Sequence, residues 1–193
     1  MKRLVIAVDC DDVLVPSTEF IVDRYNERHG THVSLAGAHT SKNPEWEASR
    51  EEAIARVYTI QHSIEYGSLA PYEQAIEACQ RLSSRHDLHV VTARPTSIMA
   101  TTNRMLERYF PGVFKEIMHI GPDGDKGAVC QGLAADVLID DNIKHLQSAR
   151  DCAVISCVWY GDYPWQQSSS DTQWALRCRD WGVVEREIER IAT

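Results

Sequence analysis

A chain of 193 residues fits one domain, or one domain with a modest insertion, and can bury a core without disulfides or structural metals. Its hydrophobic (44%) and charged (25%) fractions are those of a globular protein rather than a disordered or membrane-embedded one. The net charge of −8 excludes a nucleic-acid polymer as the main partner, which would need a basic footprint, but leaves small anionic ligands open.

The amino terminus is basic and then apolar, but the apolar run is too short for a signal peptide and runs into Asp9, Asp11 and Asp12. No stretch reaches membrane-spanning length, so no membrane partner is expected. Cysteines 10, 79, 130, 152, 157 and 178 form no CxxC pair and no zinc spacing, which predicts buried free thiols and a reducing cytoplasm.

Residues 4–8 are apolar and β-branched and end in acids, the signature of a buried strand. A helix follows over 17–29, with Phe20, Ile21 and Tyr25 on one face and Gly30 as its stop. Residues 31–44 read as loop and 45–62 as a second helix. Pro71 opens a third, running to about residue 85. The period then changes. Strands are predicted over 88–91, 114–120, 137–139 and 153–159, with helices over 96–109, 126–133, 143–149 and 183–191. His86 and His89, flanking a strand start, are expected at the surface. Residues 160–182 fit neither period: Pro164, three consecutive serines and Trp165, Trp174 and Trp181 suggest a packed irregular lobe or a mobile flap.

Strands alternating with helices predict a three-layer α/β/α, Rossmann-like parallel sheet. The stretch between the first two strands is too long for one crossover. It is therefore expected to be a helical cap, residues 16–71, inserted over a core made of 1–15 and 72–193, at the sheet edge where open α/β sheets bind ligands.

Two acidic clusters fall at the tips of buried strands: Asp9-Cys10-Asp11-Asp12, and Asp140-Asp141-Asn142. Acids could merely cap the following helices, but two such clusters on buried strands need compensation, and a hard divalent cation such as Mg²⁺ supplies it. On the same predicted edge, Thr92-Ala93-Arg94-Pro95 offers a hydroxyl and backbone amides to a phosphate oxygen. Arg94 could equally bind a structural carboxylate. Lys126, at a helix N-terminus, is electrostatically misplaced unless an anion lies nearby. The cap aromatics Phe20, Trp46, Tyr58 and Tyr66 could stack on a base or serve as core. Asp123-Gly124-Asp125 begins like a calcium loop but lacks the rest, and no GxGxxG, phosphate loop or GxSxG occurs.

In order and spacing these motifs resemble those of the haloacid dehalogenase superfamily over nearly the whole chain. The resemblance pairs Asp9-Cys10-Asp11-Asp12-Val13-Leu14 with the first motif, Thr92 with the second, Lys126 with the third and Asp140-Asp141 with the fourth. It implies a nucleophile, Asp9, and a general acid and base, Asp11, which phosphatases of the superfamily have and dehalogenases lack. It further implies that Thr92 and Lys126 are catalytic, that Thr92, Ala93, Arg94 and Lys126 hold the phosphate, and that Asp9, the Asp11 carbonyl and Asp140 or Asp141 hold Mg²⁺. Crowding by other acids is expected to raise the Asp11 pKa enough for it to act as an acid. Asp9 to Leu14, Thr92 to Pro95, Leu138 to Asn142 and Tyr163-Pro164-Trp165 are similar to the 5′(3′)-deoxyribonucleotidase-like members. The expected substrate is thus a small phosphorylated metabolite, with a nucleotide as the narrower reading. A phosphotransferase or phosphomutase, or a binding protein without activity, would carry the same fold.

Overall fold

The computed structural model describes residues 2–40, 43–154, 156–166 and 172–193. Its sheet is built from β1 (Val5–Val8), β2 (Asp87–Thr92), β3 (Phe114–His119), β4 (Val137–Asp140), β5 (Ser156–Tyr160) and β6 (Leu176–Cys178). The strands lie in the order β3-β2-β1-β4-β5-β6, and all five pairings are parallel. Strand order reverses between β1 and β4. In such sheets the crevice beyond the strands' carboxyl ends at that point takes the ligand.

Both faces of the sheet are covered, which is why its strands read as continuous apolar runs rather than alternating ones. Ile6, Val8, Val90, Val137, Ile139 and Val158 pack with α4 (Glu73–Ser83), α5 (Met99–Tyr109) and α8 (Trp181–Ile191). Ala7, Val91, Leu138, Cys157 and Trp159, one residue out of phase, pack on the other side with α6 (Lys126–Gly132) and α7 (Ile143–Asp151). This is the expected three-layer sandwich.

Between β1 and β2 the chain makes α1 (Ser17–His29), α2 (Arg50–Gln61) and the single-turn α3 (Ile64–Gly67). Val22, Tyr25, Val33, Trp46, Ala53 and Ile60 form a third apolar cluster there, separate from the two beside the sheet. The helix expected over 45–62 is broken. A 3₁₀ turn, Pro44–Trp46, ends at Glu47 with φ +48°, and Ser49 then caps α2 by accepting the Glu52 N–H. The third helix likewise starts at Glu73, two residues after Pro71. The strand expected over 153–159 begins at Ser156, with residue 155 outside the described residues. Of the 160–182 segment, Pro164–Gln166 is a 3₁₀ turn and Leu176–Cys178 a sixth strand where none is expected from the sequence; residues 167–171, with the three serines, lie outside the described residues.

Five cysteines are buried, and Cys152 is half-buried; all six are unpaired. No helix among the described residues is long and apolar enough to cross a membrane.

His86 is not at the surface. It is 1% exposed, and its Nδ1 accepts the Leu4 N–H at 3.2 Å, tying the entry of β1 to the turn before β2. His89 is half-buried, its side chain 12% exposed. Burial lowers the His86 pKa, helped by the positive charges of Arg85 and Arg3. The folded state thus favours neutral His86, and its contribution is present above the ordinary histidine pKa of about 6.5 and lost as pH falls toward the lower folded value. His86→Ala should cost about 1–2 kcal/mol at pH 7.5, the range for a lost buried hydrogen bond. By denaturant unfolding, the gap from wild type should shrink at pH 5; a gap that does not change with pH would contradict this role.

Candidate active site

The loop after β1 is held from several sides. Asp9 N–H donates to Ile139 O at 2.9 Å, and Leu14 and Val15 N–H both return to Cys10 O. Trp181 Nε1 of α8 donates to Val13 O at 3.1 Å, and Tyr163 Oη to Asp12 O at 2.6 Å. Asp12 adopts φ +57°, a left-handed conformation that aspartate tolerates better than most residues. Its carboxylate accepts from the Thr18 amide and hydroxyl at the start of α1.

This anchoring sets Asp9 beside β4. Lys126 Nζ lies 2.7 Å from Asp9 Oδ1 and 2.6 Å from Asp140 Oδ2, and all three side chains are buried. Here is the anion that a lysine at a helix N-terminus requires. Close packing of α6 on α7 brings it there: a Cβ at Gly127 would meet Ser148 O at 2.4 Å. Asp9 Oδ1 also accepts the Cys10 N–H at 2.7 Å, whereas Oδ2 accepts no hydrogen bond among the described residues. One oxygen is fixed and the other is not.

Carboxylate oxygens of Asp9, Asp140 and Asp141 lie within 4.8 Å of one another. Burial pushes Asp9 up to about 7; the Lys126 ammonium pulls it down, while Asp140 and Asp11 push it further up. Asp141 is raised well above the usual carboxylate range by burial first, then by the charges of Asp140, Asp12 and Asp9. Ionised together, these three buried carboxylates would leave a deficit of positive charge against one ammonium. An all-oxygen, hard donor set of this kind fits Mg²⁺. A second grouping, Asp12, His39 and Asp141, is committed elsewhere, since Thr18 holds Asp12 and also contacts His39 Nε2 at 3.2 Å.

Asp11 departs from expectation. Its carboxylate turns away from the acidic trio toward Arg94, which reaches Oδ1 through Nη2 at 2.8 Å and Nε at 3.0 Å. Tyr66 Oη of α3 donates to the same oxygen at 3.0 Å, and Ser17 Oγ also bonds it. Burial pushes Asp11 up, but the Arg94 charge and the hydrogen bonds from Arg94, Ser17 and Tyr66 outweigh it, so its pKa lies below the ordinary value. The expectation of a raised pKa from acidic crowding fails because the nearest charge is a cation from β2's far end. Arg94 thus binds a carboxylate here, with its guanidinium 4.8 Å over the Tyr66 ring.

Thr92, at the tip of β2, is fully buried, and its Oγ1 accepts the Arg94 N–H at 3.2 Å. Asp9, Asp11, Ala93, Arg94 and Asp141 line a cavity of about 720 Å³, whose far wall comes from the insertion: Ile21 of α1, Trp46 of the 3₁₀ turn, and Ile54, Val57 and Tyr58 of α2. Trp46 and Tyr66 are buried, Tyr66 against Asp11, while Tyr58 is exposed at the cavity. Sequence reasoning missed Ser17, Thr18, His39 and Gln166. Only the helix start after Pro16 hinted at Ser17 and Thr18, and nothing hinted at His39.

A parallel sheet whose switch point gathers paired acids, a buried lysine and a hydroxyl-tipped strand, under a helical insertion, is the architecture of haloacid dehalogenase-type hydrolases. The family described as 5′ nucleotidase, deoxy (Pyrimidine), cytosolic type C protein matches residues 3–188, and the chain belongs to it. The chain is similar to proteins assigned as 5′(3′)-deoxyribonucleotidases. One from Staphylococcus aureus (strain MSSA476) is 29% identical over 150 residues, covering 76% of this chain and 78% of the relative. One from Staphylococcus epidermidis (strain ATCC 12228) is 28% identical, covering 76% and 79%. Solved structures share the fold: a protein assigned as a phosphatase from Clostridium acetobutylicum has TM-score 0.70 at 15% identity, covering 98% of this chain and all of that one (100%). A haloacid dehalogenase-type hydrolase from Bacillus subtilis bound to magnesium has TM-score 0.66 at 10% identity, covering 97% and 99%. The chain is a hydrolase acting on phosphoric monoester bonds.

Lys126→Met should lower stability by about 3–5 kcal/mol, because it leaves buried carboxylates without their cation. Mg²⁺ should raise the Tm of wild type, and raise that of the variant more; a hundredfold excess over Kd corresponds to about 2.7 kcal/mol. Unchanged Tm values with millimolar Mg²⁺ in both proteins would contradict the charge deficit.

Proposed function

We propose that this chain is a Mg²⁺-dependent phosphatase that hydrolyses a nucleoside monophosphate, a deoxyribonucleotide first among them, through an aspartyl-phosphate on Asp9. The observation that carries the reading is Asp9 itself: Oδ1 is anchored by Lys126 and the Cys10 amide, Oδ2 accepts no hydrogen bond among the described residues, and Asp9 lines a cavity large enough for a nucleotide. The family and the relatives' assigned activity support the substrate class. Residues 16–71 act as the cap, a role supported by their separate apolar cluster and by their share of the cavity wall. Six unpaired thiols support a reducing cytoplasmic setting.

Asp9, Asp140 and Asp141 would hold the cation, with the Asp11 carbonyl as a further ligand, and the bound ion would neutralise charge on the phosphoryl oxygens. Asp9 Oδ2 attacks phosphorus, and the bond from phosphorus to the ester oxygen breaks. Asp11 supplies the proton to that leaving oxygen. Water then attacks phosphorus and gives a proton to Asp11, while the bond from phosphorus to Asp9 Oδ2 breaks, releasing phosphate and regenerating the Asp9 carboxylate. Lys126, the Thr92 hydroxyl and the amides of Ala93 and Arg94 stabilise the transferring group. With Arg94 against it, Asp11 is set as a base; it becomes an acid when the incoming phosphate dianion draws the guanidinium away and removes the charge that keeps its pKa low.

Asp9→Asn should abolish phosphate release from deoxyribonucleoside monophosphates, with a loss of 10³-fold or more, roughly the scale seen when a nucleophile is removed. Wild type should release phosphate with Mg²⁺ and not with EDTA. Turnover in folded Asp9→Asn, or turnover in EDTA, would overturn the scheme. Asp11→Asn should slow alkyl phosphates far more than aryl phosphates, whose leaving groups need no proton; equal slowing would remove Asp11 from the acid role.

A further inference from the structure

The segment after β5 converges on one residue. Trp165 Nε1 donates to Asp141 Oδ2 at 3.0 Å. Gln166 Nε2 donates to Asp141 O at 2.8 Å, and so does Trp159 Nε1 from β5 at 2.8 Å. Asp141 is thereby held by three side-chain donors, one on its carboxylate and two on its carbonyl. Gln166 is itself pinned, for its Oε1 accepts the Tyr163 amide at 3.0 Å and Arg177 Nη2 at 2.9 Å. It is buried, and its other contact is Tyr160 O at 2.8 Å.

The same indole carries two stacked rings. Tyr163 lies on it at 4.4 Å with an interplanar angle of 5°, and His39 at 4.6 Å and 28°. Tyr163 in turn holds the Asp12 carbonyl and meets Tyr72 Oη at 3.2 Å. His39 comes from the insertion between β1 and β2, and its Nε2 contacts Thr18 Oγ1 at the start of α1. Residues 163–166 therefore form a strap that touches the Asp9–Asp12 loop, Asp141 and the helical insertion together.

We propose that Trp165 is a positioning residue for the metal site: its indole N–H fixes the orientation of the Asp141 carboxylate, and its stack on His39 ties that orientation to the docking of the helical insertion. The proposal rests on the reading of Asp141 as a cation ligand. The indole donor restrains rotation of the Asp141 carboxyl group before any cation arrives. Partners of this kind, one bond behind a ligand, change metal affinity by about 10–100-fold when removed.

Isothermal titration of the full chain with MgCl₂ tests it, on wild type, Trp165→Phe and Asp141→Asn, with the Tm of each recorded without metal. Trp165→Phe keeps an aromatic ring for the stack and removes the N–H. It should weaken Mg²⁺ binding about tenfold or more. Wild-type affinity in the folded variant, with only a lower metal-free Tm, would reduce Trp165 to packing and overturn the proposal. Wild-type affinity in Asp141→Asn would overturn the metal-site reading, and the proposal with it. Weakening in Asp141→Asn but not in Trp165→Phe would sink the proposal alone. Should Trp165→Phe fail to fold, Gln166→Met removes the donor to the Asp141 carbonyl and is expected to weaken binding in the same direction; unchanged binding there counts against the strap.

Discussion

Two like charges about 5 Å apart repel by about 3 kcal/mol at an effective dielectric of 20, and carboxylate oxygens of three acids lie within 4.8 Å of one another at the carboxyl ends of β1 and β4. Desolvation adds to the repulsion, because Asp9, Asp140 and Asp141 are all buried. Lys126 answers part of it by bridging Asp9 and Asp140. Removing any partner would free the others to turn outward. The unanswered remainder is what the proposed Mg²⁺ would neutralise. The fold serves to keep this arrangement from relaxing.

Several elements do that work. Sheet order places β1 and β4 side by side with their tips at the switch point. The loop after Asp9 is tied to α8 through Trp181 and to the strap through Tyr163. Asp11 is kept out of the acidic trio by an ion pair with Arg94, and Tyr66 carries that pairing into the helical insertion. Two carboxylates separated by one residue are thus driven into opposite electrostatic settings. Burial raises Asp9, whereas the guanidinium overrides burial at Asp11. In the proposed mechanism, nucleophile and acid/base roles are divided by environment rather than by residue type.

The sheet was legible because strands covered on both faces are uninterrupted apolar runs; Val5 to Val8 and Val137 to Asp140 read as such directly. The acids ending them, and Lys126 misplaced at a helix start, could be joined into one site on electrostatic grounds alone. β6 was not legible, since three residues carry no periodicity. Nor was the Arg94–Asp11 pair, whose partners are 83 residues apart and whose proximity follows only from β2 lying beside β1. Acidic crowding alone predicts the wrong sign for Asp11 because it leaves out that cation. His86 illustrates the same blindness in the core: a polar residue at a strand start looks solvated until the Leu4 amide is found against it.

The most direct test of the central claim, that a divalent cation completes the buried carboxylate trio, is an anomalous difference map from crystals of this protein grown with Mn²⁺. The account predicts one strong peak between Asp9, Asp140 and Asp141, with Lys126 still bridging the first two. A trio without a peak in crystals that bind Mn²⁺ elsewhere would contradict it.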